Sequence, residues 1–288
     1  MVRTVDVGVS RRVCLRLLLA AGRGAAAPVR GLEGGAGPWE PTAGDPRGAV
    51  GSLSAGDRLV SGVLIDAEWV LTAAHVVAGA APAGVVFRSS LGGGFRSRAR
   101  AVHLHPLSGT GRVDLALVNL ETPAPPAIPR SRLFGGPMLG QVIHLVSHGG
   151  STTLMTVGEN RVDAVQPDSM GLPLVYLFDF DGPDLSSNAL GPALPAMGTL
   201  GPGREATLVS GDSGSAAFVV IDGQWGLAGI NTFQATVTPP GGGPAGRVAG
   251  GIVLAPQAGW ISRTLRGQSE PGRPPKLATP EAGGLGKD

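Results

Sequence analysis

Ser213 lies in Ser210-Gly211-Asp212-Ser213-Gly214-Ser215, flanked by residues small enough to let another molecule approach its hydroxyl. A serine hydroxyl is a poor nucleophile at neutral pH unless an imidazole takes its proton. An imidazole closes the upstream segment Leu71-Thr72-Ala73-Ala74-His75. That base in turn needs a carboxylate to fix its tautomer and stabilise its cation. Asp114 supplies one at the head of the apolar run Leu115-Ala116-Leu117-Val118. Nucleophile, base and orienting acid together describe acyl transfer through a covalent intermediate. The small residues serve the same chemistry, because the backbone N–H groups of Gly211 and Ser213 must face the developing oxyanion, and glycine permits the required backbone.

The elements that must hold these groups read as β-structure. Forty-eight glycines and 25 prolines among 288 residues, with only 4% aromatics, describe many tight turns. Short β-rich runs recur between them, at Leu59–Ile65, Ala83–Phe87, Leu115–Leu120, Gln141–Ser147, Val175–Phe180, Ala217–Ile221 and Arg247–Leu254. Arg96, Arg98 and Arg100 alternate along a further run, as the solvated face of a strand does. The prolines at 123, 125, 126 and 129 interrupt the series and place an interdomain crossing there. A net charge of +2 gives no field of the size nucleic-acid binding needs. No run reaches the roughly 20 apolar residues of a bilayer span.

The histidine, aspartate and serine segments, in that order along the chain, resemble the trypsin/chymotrypsin family of serine endopeptidases. The likeness runs from about Ala49 to Leu265 and includes Gly229-Ile230-Asn231-Thr232-Phe233, which resembles the strand lining the substrate groove. Gly251-Ile252-Val253-Leu254 with Trp260-Ile261 resembles the last strand and the terminal helix. Secreted bacterial members poor in disulfides are most similar, since the one cysteine, Cys14, excludes an intrachain bridge. The resemblance implies an all-β fold of two antiparallel six-stranded β-barrels with a short C-terminal helix. It places His75 and Asp114 on the first barrel (about 48–122) and Ser213 on the second (about 130–265) of a peptidase domain spanning 48–265. A catalytically inactive binding module on the same fold is the alternative. An α/β-hydrolase is excluded by chain order and by Ser215, which stands where that elbow needs glycine.

The resemblance also assigns specificity. Thr207, six residues before the serine, matches the base of the primary pocket, where trypsin-like enzymes carry an aspartate that pairs Arg or Lys. A neutral Thr207 implies a preference for uncharged side chains, unless Glu205 swings in to restore a carboxylate. Asn231, Thr232 and Phe233 are expected to bind substrate, their strand edge pairing an extended peptide. In activated relatives the residue matching Asp212 pairs a newly freed N-terminal ammonium. Here Arg47-Gly48 lies too close to His75, so Asp212 is expected to find other donors and Ala49–Leu53 to be the first barrel strand.

No cofactor is expected. The histidines form no H-E-x-x-H pattern. Asp179, Asp181 and Asp184 form an incomplete calcium-loop pattern, a weak metal candidate beside a solvated acidic turn. Residues 1–27 read as an export segment, with Ser10-Arg11-Arg12-Val13-Cys14-Leu15-Arg16 similar to a twin-arginine motif and Ala25-Ala26-Ala27 offering a cleavage site. Residues 28–47 read as a linker or propeptide, and 266–288 as a disordered polar tail. The expected protein is thus a monomeric secreted or periplasmic enzyme whose partners are protein or peptide substrates.

Overall fold

Two β-domains meet along a shared apolar seam, and alternation along single strands builds both sides of it. The computed structural model describes residues 3–9, 13–19, 32–40, 42, 44–149, 154–181, 188–190, 198–237 and 245–267. The first domain comprises β1 (Val50–Ala55), β2 (Arg58–Asp66), β3 (Trp69–Thr72), β4 (Val85–Arg88), β5 (Arg96–Leu104) and β6 (Ala116–Leu120). They close a barrel in the order β6-β3-β2-β1-β4-β5, every pairing antiparallel. Ala116, Val118 and Leu120 of β6 point into the barrel with Leu53, Leu64 and Phe87. Leu117 and the preceding Leu115 point the other way, into the seam. Successive strand side chains alternate between faces, so β6 builds both cores.

The second domain is a single antiparallel sheet of β7 (Val142–Ser147), β8 (Met155–Arg161), β9 (Ala164–Pro167), β10 (Pro173–Phe180), β11 (Ala216–Ile221), β12 (Gln224–Val237) and β13 (Gly246–Val253). Its order is β9-β10-β13-β12-β11-β7-β8, extended past β8 by the short strand Gly37–Trp39. Asn160, almost fully buried on β8, ties the sheet across to its other side. Its Nδ2 donates to Asp179 O on β10 and to Ala206 O, 2.8 Å each. On β11, Ala217 and Val219 enter this domain's core while Ala216 and Phe218 face the seam.

The expected strands all form, with ends within about two residues of the expected ones, as strand boundaries ordinarily scatter. The helix α1 (Ala74–Val77) follows β3 directly, and the C-terminal helix α2 (Ala258–Leu265) buries Trp260 and Ile261 in the seam. Between β6 and β7 the proline-rich stretch passes from one domain to the other, turning once where Ile128 N–H donates to Pro125 O. Ala124 N–H donates to Ala67 O and Ser131 N–H to Leu64 O on the first, and Phe134 N–H donates to Leu227 O on the second.

Ahead of the first barrel, Glu33–Gly34 pairs with Ala206–Thr207 and Gly37–Trp39 pairs with β8. The stretch read as linker or propeptide thus includes strands of the second domain. Arg3–Val9 and Val13–Leu19 pair as a separate antiparallel hairpin. Arg11, Arg12 and Ala25–Ala27 lie outside the described residues, as does the tail beyond 267.

Candidate active site

His75 sits at the first domain's rim because β3 ends there. Ala73 is extended (φ −75°, ψ 137°), and the one-turn helix α1 then buries Ala74, Val76 and Val77, leaving His75 outward. Asp114 is held between the buried side chains of Val113 and Leu115, two residues before β6 begins. Its Oδ1 accepts the His75 backbone N–H at 2.8 Å, and its Oδ2 lies 2.6 Å from His75 Nδ1. The opposite ring nitrogen, Nε2, lies 3.0 Å from Ser213 Oγ. Aspartate, imidazole and serine, 138 residues apart between His75 and Ser213, form one continuous hydrogen-bonded chain.

The serine reaches that position through its turn. Gly211 and Gly214 have φ of +100° and +81°, in the left-handed region that other residues rarely adopt. A Cβ on Gly214 would stand 2.2 Å from both Ser61 O and Thr72 Oγ1, so the turn packs directly on the first domain. Ser61 N–H donates to Ser213 O at 3.1 Å, locking the nucleophile's backbone to β2. Gly214 N–H donates to Asn231 O, Asp212 N–H to Val209 O, and Ser215 N–H to Asp212 O. The N–H groups of Gly211 and Ser213 find no acceptor among the described residues.

Beneath the turn runs a polar network that reading the sequence missed. Asp212 is fully buried. Ser147 Oγ donates to its Oδ1 at 2.6 Å, Val209 N–H donates to its Oδ2 at 2.7 Å, and the Leu32 backbone N–H is a third donor. Burial pushes its carboxyl up to about 6 against these donors. Ser61 Oγ accepts His148 N–H at 3.0 Å and lies 3.2 Å from Ser147 Oγ, so Ser61, Ser147 and Asp212 form one relay from β2 to the nucleophile turn. An isolated serine inside a strand carries no sequence signal of such a role.

The expected substrate-binding residues divide. Thr232 and Phe233 line a cavity of about 430 Å³ that opens beside His75 and Asp114, with Val175, Leu177 and Ile252 as its apolar wall. Asn231 is fully buried, its Oδ1 accepting from Tyr176 and its Nδ2 donating to Ser215 Oγ and Ala216 O. Thr207 is also fully buried, pairs with Glu33, and lies outside that lining. Glu205 is fixed rather than mobile: its oxygens accept Leu200 N–H at 2.8 Å and Asp181 N–H at 3.0 Å.

Asp179 and Asp181 are buried together with Asp163 and Glu205. Asp184, third of the calcium candidates, lies outside the described residues. Burial pushes the Asp163 carboxyl up to about 9, with the Asp179 charge adding to it, and burial also raises Asp179 against a hydrogen bond from the Asp163 side chain. Burial also holds Asp181 up, at about 6. The described residues bring no three His, Cys, Asp or Glu side chains into a metal-holding group.

The family model for the trypsin-like peptidase domain matches residues 60–230, more than half of the chain, and that span contains His75, Asp114 and Ser213. No curated protein matches the chain. Closed barrel, companion β-domain and matched span agree, and the chain belongs to the trypsin/chymotrypsin family of serine peptidases.

Proposed function

We propose that the protein is a serine endopeptidase acting through His75, Asp114 and Ser213. The carrying observation is the unbroken contact from Asp114 Oδ2 through both ring nitrogens of His75 to Ser213 Oγ. Ser213 Oγ attacks the peptide carbonyl as His75 Nε2 removes its proton, while Asp114 holds Nδ1–H and stabilises the imidazolium. The charge that develops on the carbonyl oxygen falls to the N–H groups of Gly211 and Ser213, one such donor typically lowering the barrier by ~2.7–4 kcal/mol. His75 then protonates the leaving amine, and water repeats the cycle on the acyl-enzyme. The residue before the scissile bond is uncharged under this reading, since Thr207 offers no carboxylate and Glu205 is held by two backbone donors. The twin-arginine-like run supports a site of action outside the cytoplasm.

Labelling with a fluorophosphonate probe, which reacts with activated serines, tests the reading. Wild type is expected to be labelled and to cleave casein, and Ser213→Ala to do neither. A folded wild-type protein that stays unlabelled and leaves casein intact would establish the binding-module alternative instead.

A further inference from the structure

We propose that the outer face of β5 is a second contact site for protein substrates, where Arg88, Arg96 and Arg98 hold an acidic segment away from the bond that is cut. The inference rests on the endopeptidase reading and names a substrate class for it. Along β5, Ser97 and Ala99 are buried, while Arg96, Arg98 and Arg100 are exposed on the opposite face. The ladder with β4 sets Arg88 directly across from Arg96, and Val86 across from Arg98. Three cationic side chains therefore start from positions about 5–8 Å apart. Like charges directly opposite each other in a sheet are destabilising. Burial, and then the Arg96 charge, hold the Arg88 guanidinium below its ordinary value.

The fold leaves most of this charge unanswered. Glu68 lies 3.7 Å from Arg100, and Glu121, whose N–H donates to Arg98 O, has its carboxylate in no ion pair among the described residues. Arg88 Nη1 donates to Ser54 Oγ at 3.0 Å. Among the described residues the guanidiniums of Arg96 and Arg98 form neither an ion pair nor a hydrogen bond. An arginine on a strand is ordinarily just solvated, and the course of β5 supplies the second observation. The strand ends at Leu104, which lines the cavity beside His75. Its nine residues span roughly 27 Å. One extended polypeptide can thus lie on the arginines and enter the cavity. Alternate side chains of such a segment share a face about 7 Å apart, the same spacing as Arg96 and Arg98. Acids at alternate positions then meet the guanidiniums through charge-assisted hydrogen bonds. A detached polyanion gains nothing from the path to the cavity, and a net charge of +2 gives it little long-range attraction.

Internally quenched peptides test the site, all built on one sequence that wild type cuts in casein. Each is extended on one side or the other by about 12 residues, enough to span β5, repeating Glu-Ser or Gln-Ser. Wild type is expected to cut one Glu-extended peptide about fivefold faster in kcat/KM than its Gln counterpart, the scale of two or three solvated charge pairs. The gain should sit in KM and shrink at high salt. The double variant Arg96→Glu/Arg98→Glu is expected to lose it. That variant sets a carboxylate across from Arg88 in place of a like charge, and a thermal melt establishes that it is folded. Fluorophosphonate labelling of wild type with equal rates on Glu and Gln peptides, or an unchanged preference in the folded double variant, would overturn the site while leaving the endopeptidase reading standing. Retention on a heparin column that depends on the two arginines, without any preference among the peptides, would likewise overturn it in favour of a polysaccharide surface. A wild-type protein that is neither labelled nor cuts casein would overturn both readings together.

Discussion

Gly214 decides how closely the nucleophile approaches its base. Its φ of +81° and the 2.2 Å that a Cβ would leave to Ser61 O and Thr72 Oγ1 reserve the position for hydrogen. Both conflicts involve groups held in place, because Thr72 Oγ1 itself donates to Ser61 O at 2.9 Å. Gly214→Ala is expected to destabilise the fold by about 1–3 kcal/mol, the range for strained backbone and overpacking. It should also part Ser213 from His75. Urea unfolding with fluorophosphonate labelling on the same samples reads both effects, and an unchanged midpoint would show that the turn gives way easily. The neighbouring Asp212 sets a different requirement. Its oxygens receive only donors, so Asp212→Asn turns an amide N–H₂ toward one of them. The expected result is a folded protein whose kcat/KM falls at least about tenfold, near the cost of one misdirected buried hydrogen bond. Near-wild-type kinetics would assign Asp212 no part in shaping the turn.

Strands β2, β7 and the serine turn meet through side chains too short to register in a hydrophobic pattern. Ser61 connects His148 N–H and Ser147 Oγ, while its own N–H holds Ser213 O. Ser61→Ala keeps the backbone bond and removes the hydroxyl. It leaves the buried His148 N–H without its acceptor, an expected loss of about 1–3 kcal/mol. Differential scanning calorimetry of Ser61→Ala against wild type measures it, with a Tm within 1 °C of wild type (roughly 0.3 kcal/mol for a domain this size) as the contrary result. The same scale explains what could be read from the chain alone. His75, Asp114 and Ser213 each sit where an apolar strand ends or begins, so local sequence showed both the group and its mount. The strands of both domains were legible because their side chains alternate between two cores. Glu33–Gly34 and Gly37–Trp39 are too short to display any period, so residues that pair with the second domain read as linker. Ser61 acquires its role only when the two domains come together, and Ser147 and Leu32 theirs only when distant segments of the second domain meet at Asp212. Thr207, matched to the floor of a pocket by position, is buried against Glu33–Gly34 and does not line the cavity beside His75.

Across the molecule, buried titratable groups set opposing pH dependences. Asp163, Asp179, Asp181 and Asp212 are all raised by burial, to about 9 for Asp163 and about 6 for Asp181 and Asp212. A carboxyl raised on folding contributes stability that is complete below its unfolded value of 3.8 and is lost as pH rises through its folded value. The Asp181 and Asp212 contributions therefore fade by about pH 6, while that of Asp163 goes on declining to about 9. His105 acts in the opposite sense. Its burial, with its ring edge-on to Trp260 at 4.7 Å, lowers it from 6.5 to about 4, so its contribution holds above 6.5 and is lost on acidification. Below about pH 6.5 the two trends offset each other. Above it the carboxyls alone govern, and Tm is expected to fall between pH 6.5 and 9 by roughly 3–10 °C. Asp163→Asn tests the source. Its amide can donate to Asp179 as the protonated carboxyl does, and its oxygen can still accept the Asp179 N–H now bonded to Asp163 Oδ2 at 3.1 Å. The variant needs no proton to do so, and its Tm should be nearly level over that interval. A fall as steep as wild type's would place the alkaline sensitivity elsewhere than in this carboxyl pair.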